Sequence, residues 1–328
     1  MNTKGTITIV GAGNMGAAIA TLCAAHGYRV VLNDQNDKML ASFAERAAPI
    51  ARHMAGTERS PDEILSLVEC NSSLEASTRD AFLVQEVIHE DLEAKRALFR
   101  RLDVLCAPEV MLATNTSSYL LSEICLDLAG RERVIGIHYV SPAHLIRAVE
   151  VITADFTGQA LIERSRAFVG SIDHVAIVCK ERPGFLINKI QYALKAECQR
   201  IVEAGIASVE DIDAAVRLAI GPRLALWGPM MQEDLNASKK TVLAVTDYIH
   251  QATGEAHYAS TQVLRDLVAR GQTGASAGAG WYRWDADHET SVRERDRQLG
   301  ELIDWLRAHE RLAALGAKGE NDQIRHGK

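Results

Sequence analysis

The largely apolar stretch GIHYVSPAHLIRAVEV, residues 136–151, holds two histidines and one carboxylate, and of these His138 and Glu150 stand in segments that otherwise read as buried strand. An imidazole titrates near neutral pH, so a histidine can take the proton of a reacting hydroxyl. A carboxylate on its far ring nitrogen would fix the tautomer and stabilise the imidazolium. Two other readings stand beside this one: a pair of polar groups satisfying each other in a core, and metal ligands. The metal reading needs a third donor, and His144 is the only near candidate. The acid–base reading needs the strand holding Glu150 to lie beside the strand ending at His138. The Ser141–Pro142 break between them permits that.

The chain's start supplies elements that could serve such chemistry. TITIV (Thr6 to Val10) reads as a buried strand, and Gly11, Gly13 and Gly16 follow at once. The next residues have helical composition up to Gly27, and YRVVLND reads as a second strand finishing at Asp34. In a dinucleotide site, Gly11 permits the tight turn, Gly13 lets backbone approach a pyrophosphate, and Gly16 lets helix and strand pack closely. Asn14 and Met15 sit between them, where a helix N-terminus faces the phosphates. Asp34 can accept both ribose hydroxyls. Gln35 and Asn36 offer no cation for a 2′-phosphate, which favours NAD over NADP. The alternative is a glycine-rich turn without a cofactor.

With 328 residues, two domains are expected. Apolar residues at 47% and charged residues at 24% are ordinary for a globular chain. A net charge of −7 without a long basic run argues against nucleic acid or an anionic membrane as partner. The stretch without Asp, Glu, Lys or Arg from Gly5 to Tyr28 is explained by the glycine turn, and no other segment could span a bilayer. Six scattered cysteines show no zinc or redox spacing and read as reduced and mostly buried. The expected location is cytoplasmic.

Strands then alternate with helices, which predicts a doubly wound parallel sheet. Ligands bind beyond the carboxyl ends of such strands, where Glu86, Asn115 to Ser118 and His138 fall. SPDEILSLVEC reads as a helix, and His174 as a surface residue. The break KERPGF sets a boundary near Glu181: a Rossmann-type α/β domain over 1–181 and an all-α domain over 182–328. In the second domain, QEDLNASKKTVLAVTDYIHQATG reads as one helix and the tail LGAKGENDQIRHGK as disordered. Arg223 is a candidate for binding a free carboxylate, its alternative being a solvated or interface arginine.

The series GAGNMG…LND, VQEVIHEDLEAKRALF, ATNTSS, GIHYVSP…AVEVI, KERPGFLINKIQYAL and EAGIASVEDIDAAV resembles the L-3-hydroxyacyl-CoA dehydrogenase family, in order, from Ile7 to about Trp284. Within it, NKIQYAL, EAGIAS and GPRLALWGPM look most like the lambda-crystallin and L-gulonate 3-dehydrogenase branch. The resemblance implies a catalytic His138 paired with Glu150, and Ser117 and Asn188 at the substrate. It implies Glu86 and Lys95 on the nicotinamide side, NAD as cofactor, and a homodimer formed through the helical domain. Read from position alone, Ser117 could instead cap a strand end and Asn188 a helix start. Two departures bear on the substrate. Ser141 stands where the family usually has Asn, and Ala275 and Ser276 stand where acyl-CoA enzymes carry lysines. Lysine scarcity weakens a CoA phosphate as ligand. The expected activity is therefore oxidation of a free 3-hydroxy acid resembling L-gulonate. The alternatives are a short-chain acyl-CoA dehydrogenase and a non-catalytic, crystallin-type NAD-binding protein.

Overall fold

The computed structural model describes residues 3–56 and 59–309. The chain forms two compact units, divided between Lys195 and Ala196. The tail LGAKGENDQIRHGK lies outside the described residues.

The first unit is an eight-stranded sheet in the order β3-β2-β1-β4-β5-β6-β7-β8. The strands are β1 (Thr6–Val10), β2 (Arg29–Asn33), β3 (Val68–Asn71), β4 (Ala81–Glu86), β5 (Met111–Thr114), β6 (Val134–Tyr139), β7 (Ala148–Thr153) and β8 (Val175–Lys180). Helices α1 (Asn14–Ala25), α2 (Phe43–Met54), α3 (Leu92–Leu105) and α4 (Gln159–Ser171) belong to the same unit, and α5 (Ile187–Glu203) begins in it. Side chains alternate across each strand. Ile137 and Tyr139 of β6 enter one core with Ile9, Ile19 and Phe168. Val10, Val84, Phe99 and Ile152 form a second, which contains residues of α3. The sheet is thus doubly wound, as the alternation of elements predicts. α1 is buried continuously from Gly16 to Ala24, which its small residues allow.

In this unit three sequence expectations need correction. β7 runs antiparallel to β6, so the sheet is mixed. SPDEILSLVEC is a helix only over Pro61–Ser66, its last residues being the start of edge strand β3. A four-residue, half-polar strand carries almost no periodic signal. His174 is buried, its ring nitrogens bonded to the carbonyls of Ile172 (2.7 Å) and Ala143 (2.9 Å).

The second unit is helical. The stretch QEDLNASKKTVLAVTDYIHQATG, expected as one helix, is broken between α6 (Pro229–Asn236) and α7 (Lys239–Thr253) by extended backbone at Ala237. The break places Lys239 against Asp234 in a fully buried ion pair. Asp234 also accepts from the Trp281 and Tyr282 amides (3.1 and 3.0 Å) and the Trp284 indole (2.9 Å). Burial raises the Asp234 pKa, but these bonds outweigh it and hold the carboxyl below its usual range. Lys239→Met strands a buried charge and is expected to cost about 3–5 kcal/mol. Chemical denaturation should show Asp234→Asn/Lys239→Met recovering part of that loss.

Candidate active site

β1 runs directly into the glycine turn. Gly11 has φ +113°, and a Cβ there would lie 2.6 Å from the Val87 carbonyl oxygen. A Cβ on Gly16 would lie 1.8 Å from the Gly11 oxygen, so only glycine lets α1 pack this close to the strand end. A Cβ on Gly13, the N-cap of α1, meets nothing within 4 Å. That open side lies where a diphosphate would approach the amides of Asn14 and Met15. Asp34, just past β2, accepts from the Ala12 amide (2.7 Å) and the Asn36 amide (2.9 Å). It lines a cavity of about 720 Å³ with Gly11, Gly13, Asn36 and Met39. Cavity, turn and acid suit an adenine dinucleotide, which when bound would supply the hydride acceptor.

β6 and β7 are joined through residues 140–147 and pair antiparallel with His138 directly opposite Glu150. Opposed residues share a sheet face, so the register alone brings the two side chains together. His138 Nδ1 lies 2.7 Å from Glu150 Oε2. The carboxylate can only accept, so Nδ1 carries the proton and Nε2 is the basic nitrogen. His138 lines a second cavity of about 420 Å³.

The other Glu150 oxygen accepts from the amides of Leu186 (2.9 Å) and Ile187 (2.7 Å). Gly184 at φ +79° and Phe185 at φ +48° turn the chain so that these amides converge. A left-handed phenylalanine is strained, and here the strain sits beside the dyad. Burial raises the Glu150 pKa, but the His138 bond and the two amides outweigh it and hold the carboxyl below its ordinary 4.5. The sequence shows Pro-Gly-Phe only as a boundary.

Ser117, Asn188, Asn115, Met15 and Lys95 line the same cavity as His138. Asn115 accepts from the Tyr139 amide (2.8 Å), tying β5 to β6. Lys95 is buried and donates to Glu86 (2.6 Å), whose other oxygen accepts from the Thr114 hydroxyl (2.6 Å). Sequence reasoning passed over Glu90. It accepts from the Ser117 amide (2.7 Å) and hydroxyl (3.2 Å) and from the Thr116 hydroxyl (3.0 Å), with Lys95 at 3.4 Å. Burial raises its pKa, yet the Ser117 amide, Lys95 and the hydroxyls together lower it. Its position just past a strand end was the available signal. Arg223 belongs to the helical unit and donates through Nε to the Ala219 carbonyl (2.7 Å). Among the described residues no cluster suited to a metal occurs, and no helix is long and apolar enough to cross a membrane. Of the cysteines, Cys23, Cys106 and Cys125 are buried and Cys70 is exposed. Burial pushes Cys23 and Cys125 up to about 12.

The glycine turn and the His138–Glu150 pair open at the same edge of the sheet, an arrangement that suits a nicotinamide-dependent dehydrogenase. Comparison with known proteins narrows the class. Residues 6–182 match the family model "3-hydroxyacyl-CoA dehydrogenase, NAD binding domain", and residues 184–284 match the same family's C-terminal domain. Hydroxyacyl-coenzyme A dehydrogenase, mitochondrial, from Sus scrofa is 30% identical over 287 residues, covering 85% of this chain and 90% of the relative. The 3-hydroxyadipyl-CoA dehydrogenase of Escherichia coli is 30% identical over 88% of this chain and 60% of its own length. A 3-hydroxyacyl-CoA dehydrogenase structure from Archaeoglobus fulgidus superposes with a TM-score of 0.80 at 26% identity, covering 92% of this chain and 99% of that one. The chain belongs to the 3-hydroxyacyl-CoA dehydrogenase family and is an NAD-dependent oxidoreductase.

Proposed function

We propose that the chain oxidises the 3-hydroxyl of a free 3-hydroxy carboxylic acid resembling L-gulonate to the 3-keto acid. The observation that carries the chemistry is the His138–Glu150 pair at the wall of the Ser117–Asn188 cavity. His138 Nε2 takes the hydroxyl proton as hydride leaves the same carbon. Glu150 holds the tautomer and stabilises the imidazolium. In this reading Ser117 and Asn188 hold the substrate oxygen, and Lys95 with Glu86 serves the nicotinamide. A purely structural NAD-binding protein would have no use for such a pair.

The free-acid reading rests on the cations. A CoA 3′-phosphate would need replacements for the lysines missing at Ala275 and Ser276. Of three candidates in the first unit, Arg46, Arg52 and Arg59, Arg52 is exposed and the other two are already engaged. Arg46 donates to the carbonyls of Gly13 (3.1 Å) and Met39 (2.6 Å), and Arg59 to that of Ala25 (3.2 Å). Arg223 is engaged too, through Nε to the Ala219 carbonyl, and would take the free carboxylate with its remaining guanidinium N–H groups. The second reading, a short-chain 3-hydroxyacyl-CoA dehydrogenase, is favoured by the activities that the relatives' names state. NADH formation on L-gulonate, L-carnitine, 3-hydroxybutyrate and 3-hydroxybutyryl-CoA decides between them. Turnover of free acid alone is expected, and turnover of the thioester alone overturns it.

A homodimer also belongs to this reading. α5 buries none of its residues in the single chain, and Ile190, Leu194, Val245, Tyr248 and Val263 are exposed.

A further inference from the structure

The first turns of α5 carry more of the cavity wall than Asn188. Gln191 and Tyr192 line the same cavity as His138 and Ser117. They stand three and four residues after Asn188, the spacing that puts side chains on one helix face. One turn rises about 5.4 Å, the span of a few carbon–carbon bonds. A substrate whose hydroxyl sits between His138 and Asn188, and whose chain runs along α5, therefore carries its next carbons past a carboxamide and a phenol. The Lys195 ammonium lies 5.2 Å from the Tyr192 ring centroid and favours one placement of that ring.

The chemistry of this wall bears on substrate class. An alkyl tail would take water from the Gln191 amide and the Tyr192 hydroxyl and return no hydrogen bond. A tail bearing hydroxyls would replace that water, since a carboxamide both donates and accepts and a phenol does the same. We propose that Gln191 and Tyr192 are specificity-determining residues that select a 3-hydroxyacyl chain hydroxylated beyond C3. This rests on the reading of the His138 cavity as the 3-hydroxyacyl site, but not on whether the head group is a free acid or a thioester.

The test uses four substrates on the full chain: 3-hydroxybutyrate, 3,4-dihydroxybutyrate, and the CoA thioester of each. Wild type is expected to prefer the dihydroxy member of whichever pair it uses by about tenfold in kcat/KM, the value of one hydrogen bond. Gln191→Leu and Tyr192→Phe should each lower that preference severalfold, with the loss mostly in KM and the monohydroxy member falling less. An equal fall on both members means a structural role and overturns the proposal. A preference unchanged in both variants overturns it as well. Use of thioesters alone, with the preference intact and sensitive to the variants, sinks the free-acid reading and leaves this inference standing. No turnover of any of the four removes both.

Discussion

Glu150→Gln is expected to lower kcat by about 10²–10⁴-fold while leaving NAD affinity nearly unchanged. The buried carboxylate accepts on both oxygens, from His138 on one and from the Leu186 and Ile187 amides on the other. A carboxamide has one acceptor oxygen and one donor nitrogen. Either it turns a donor toward the two amides, or it turns a donor toward His138 and favours the wrong tautomer. His138→Ala should fall to a similar depth, and the double variant little further, because the two act as a unit. Stopped-flow turnover beside NADH titration separates the two effects. An equal loss of cofactor affinity would instead mean that the pair holds the fold of the site. The substitution should also change the acid response of stability. A carboxyl whose folded pKa lies below its unfolded value stabilises the fold at higher pH, and the benefit disappears as pH falls through the folded value. Wild type should therefore lose stability more steeply than Glu150→Gln from about pH 4.5 downward, measured by denaturation at fixed pH.

Gly16→Ala is expected to weaken NAD binding by roughly 100-fold, about 2.7 kcal/mol, and to destabilise the first unit by about 1–3 kcal/mol or more. The added methyl would meet the backbone oxygen of Gly11 at 1.8 Å, and a backbone atom cannot rotate away as a side chain can. α1 must lift from β1, and the amides at its start then miss the phosphates. Gly170→Ala near the end of α4 is the control, since its Cβ meets nothing within 4 Å. That change should be neutral or stabilising by up to about 1 kcal/mol. Calorimetric titration with NAD tests both. Unaltered affinity in Gly16→Ala would refute the role of this close approach.

The cofactor half of the site was legible because its parts are contiguous: strand, glycines, helix, strand and acid lie within Thr6 to Asp34. The dyad was legible as a pair through the resemblance, but the residues alone left core and metal readings of His138 and Glu150 open. A signal to choose was present in the connection. Parallel strands need a crossover of about a dozen residues or more, and residues 140–147 are too few. The strands had to pair antiparallel, which sets an inward residue of one against an inward residue of the other. Glu90 and the Leu186 and Ile187 amides were missed for different reasons. Glu90 belongs to no periodic pattern. The amides act through backbone, and side-chain identity says nothing about where a backbone N–H points. His174 was misplaced because a histidine just before a strand reads as solvated unless the carbonyls of Ile172 and Ala143 are known to meet it.

The turn at Gly184 and Phe185 has a consequence for genetics. The grip on Glu150 comes from main-chain amides, which nineteen of the twenty residue types would supply equally well at positions 186 and 187. A screen of side-chain truncations would flag Glu150 and His138 and pass silently over the groups that hold Glu150. Proline, which deletes the N–H itself, makes that grip visible to mutation, whereas a side-chain change at Ile187 reports on the cavity it lines.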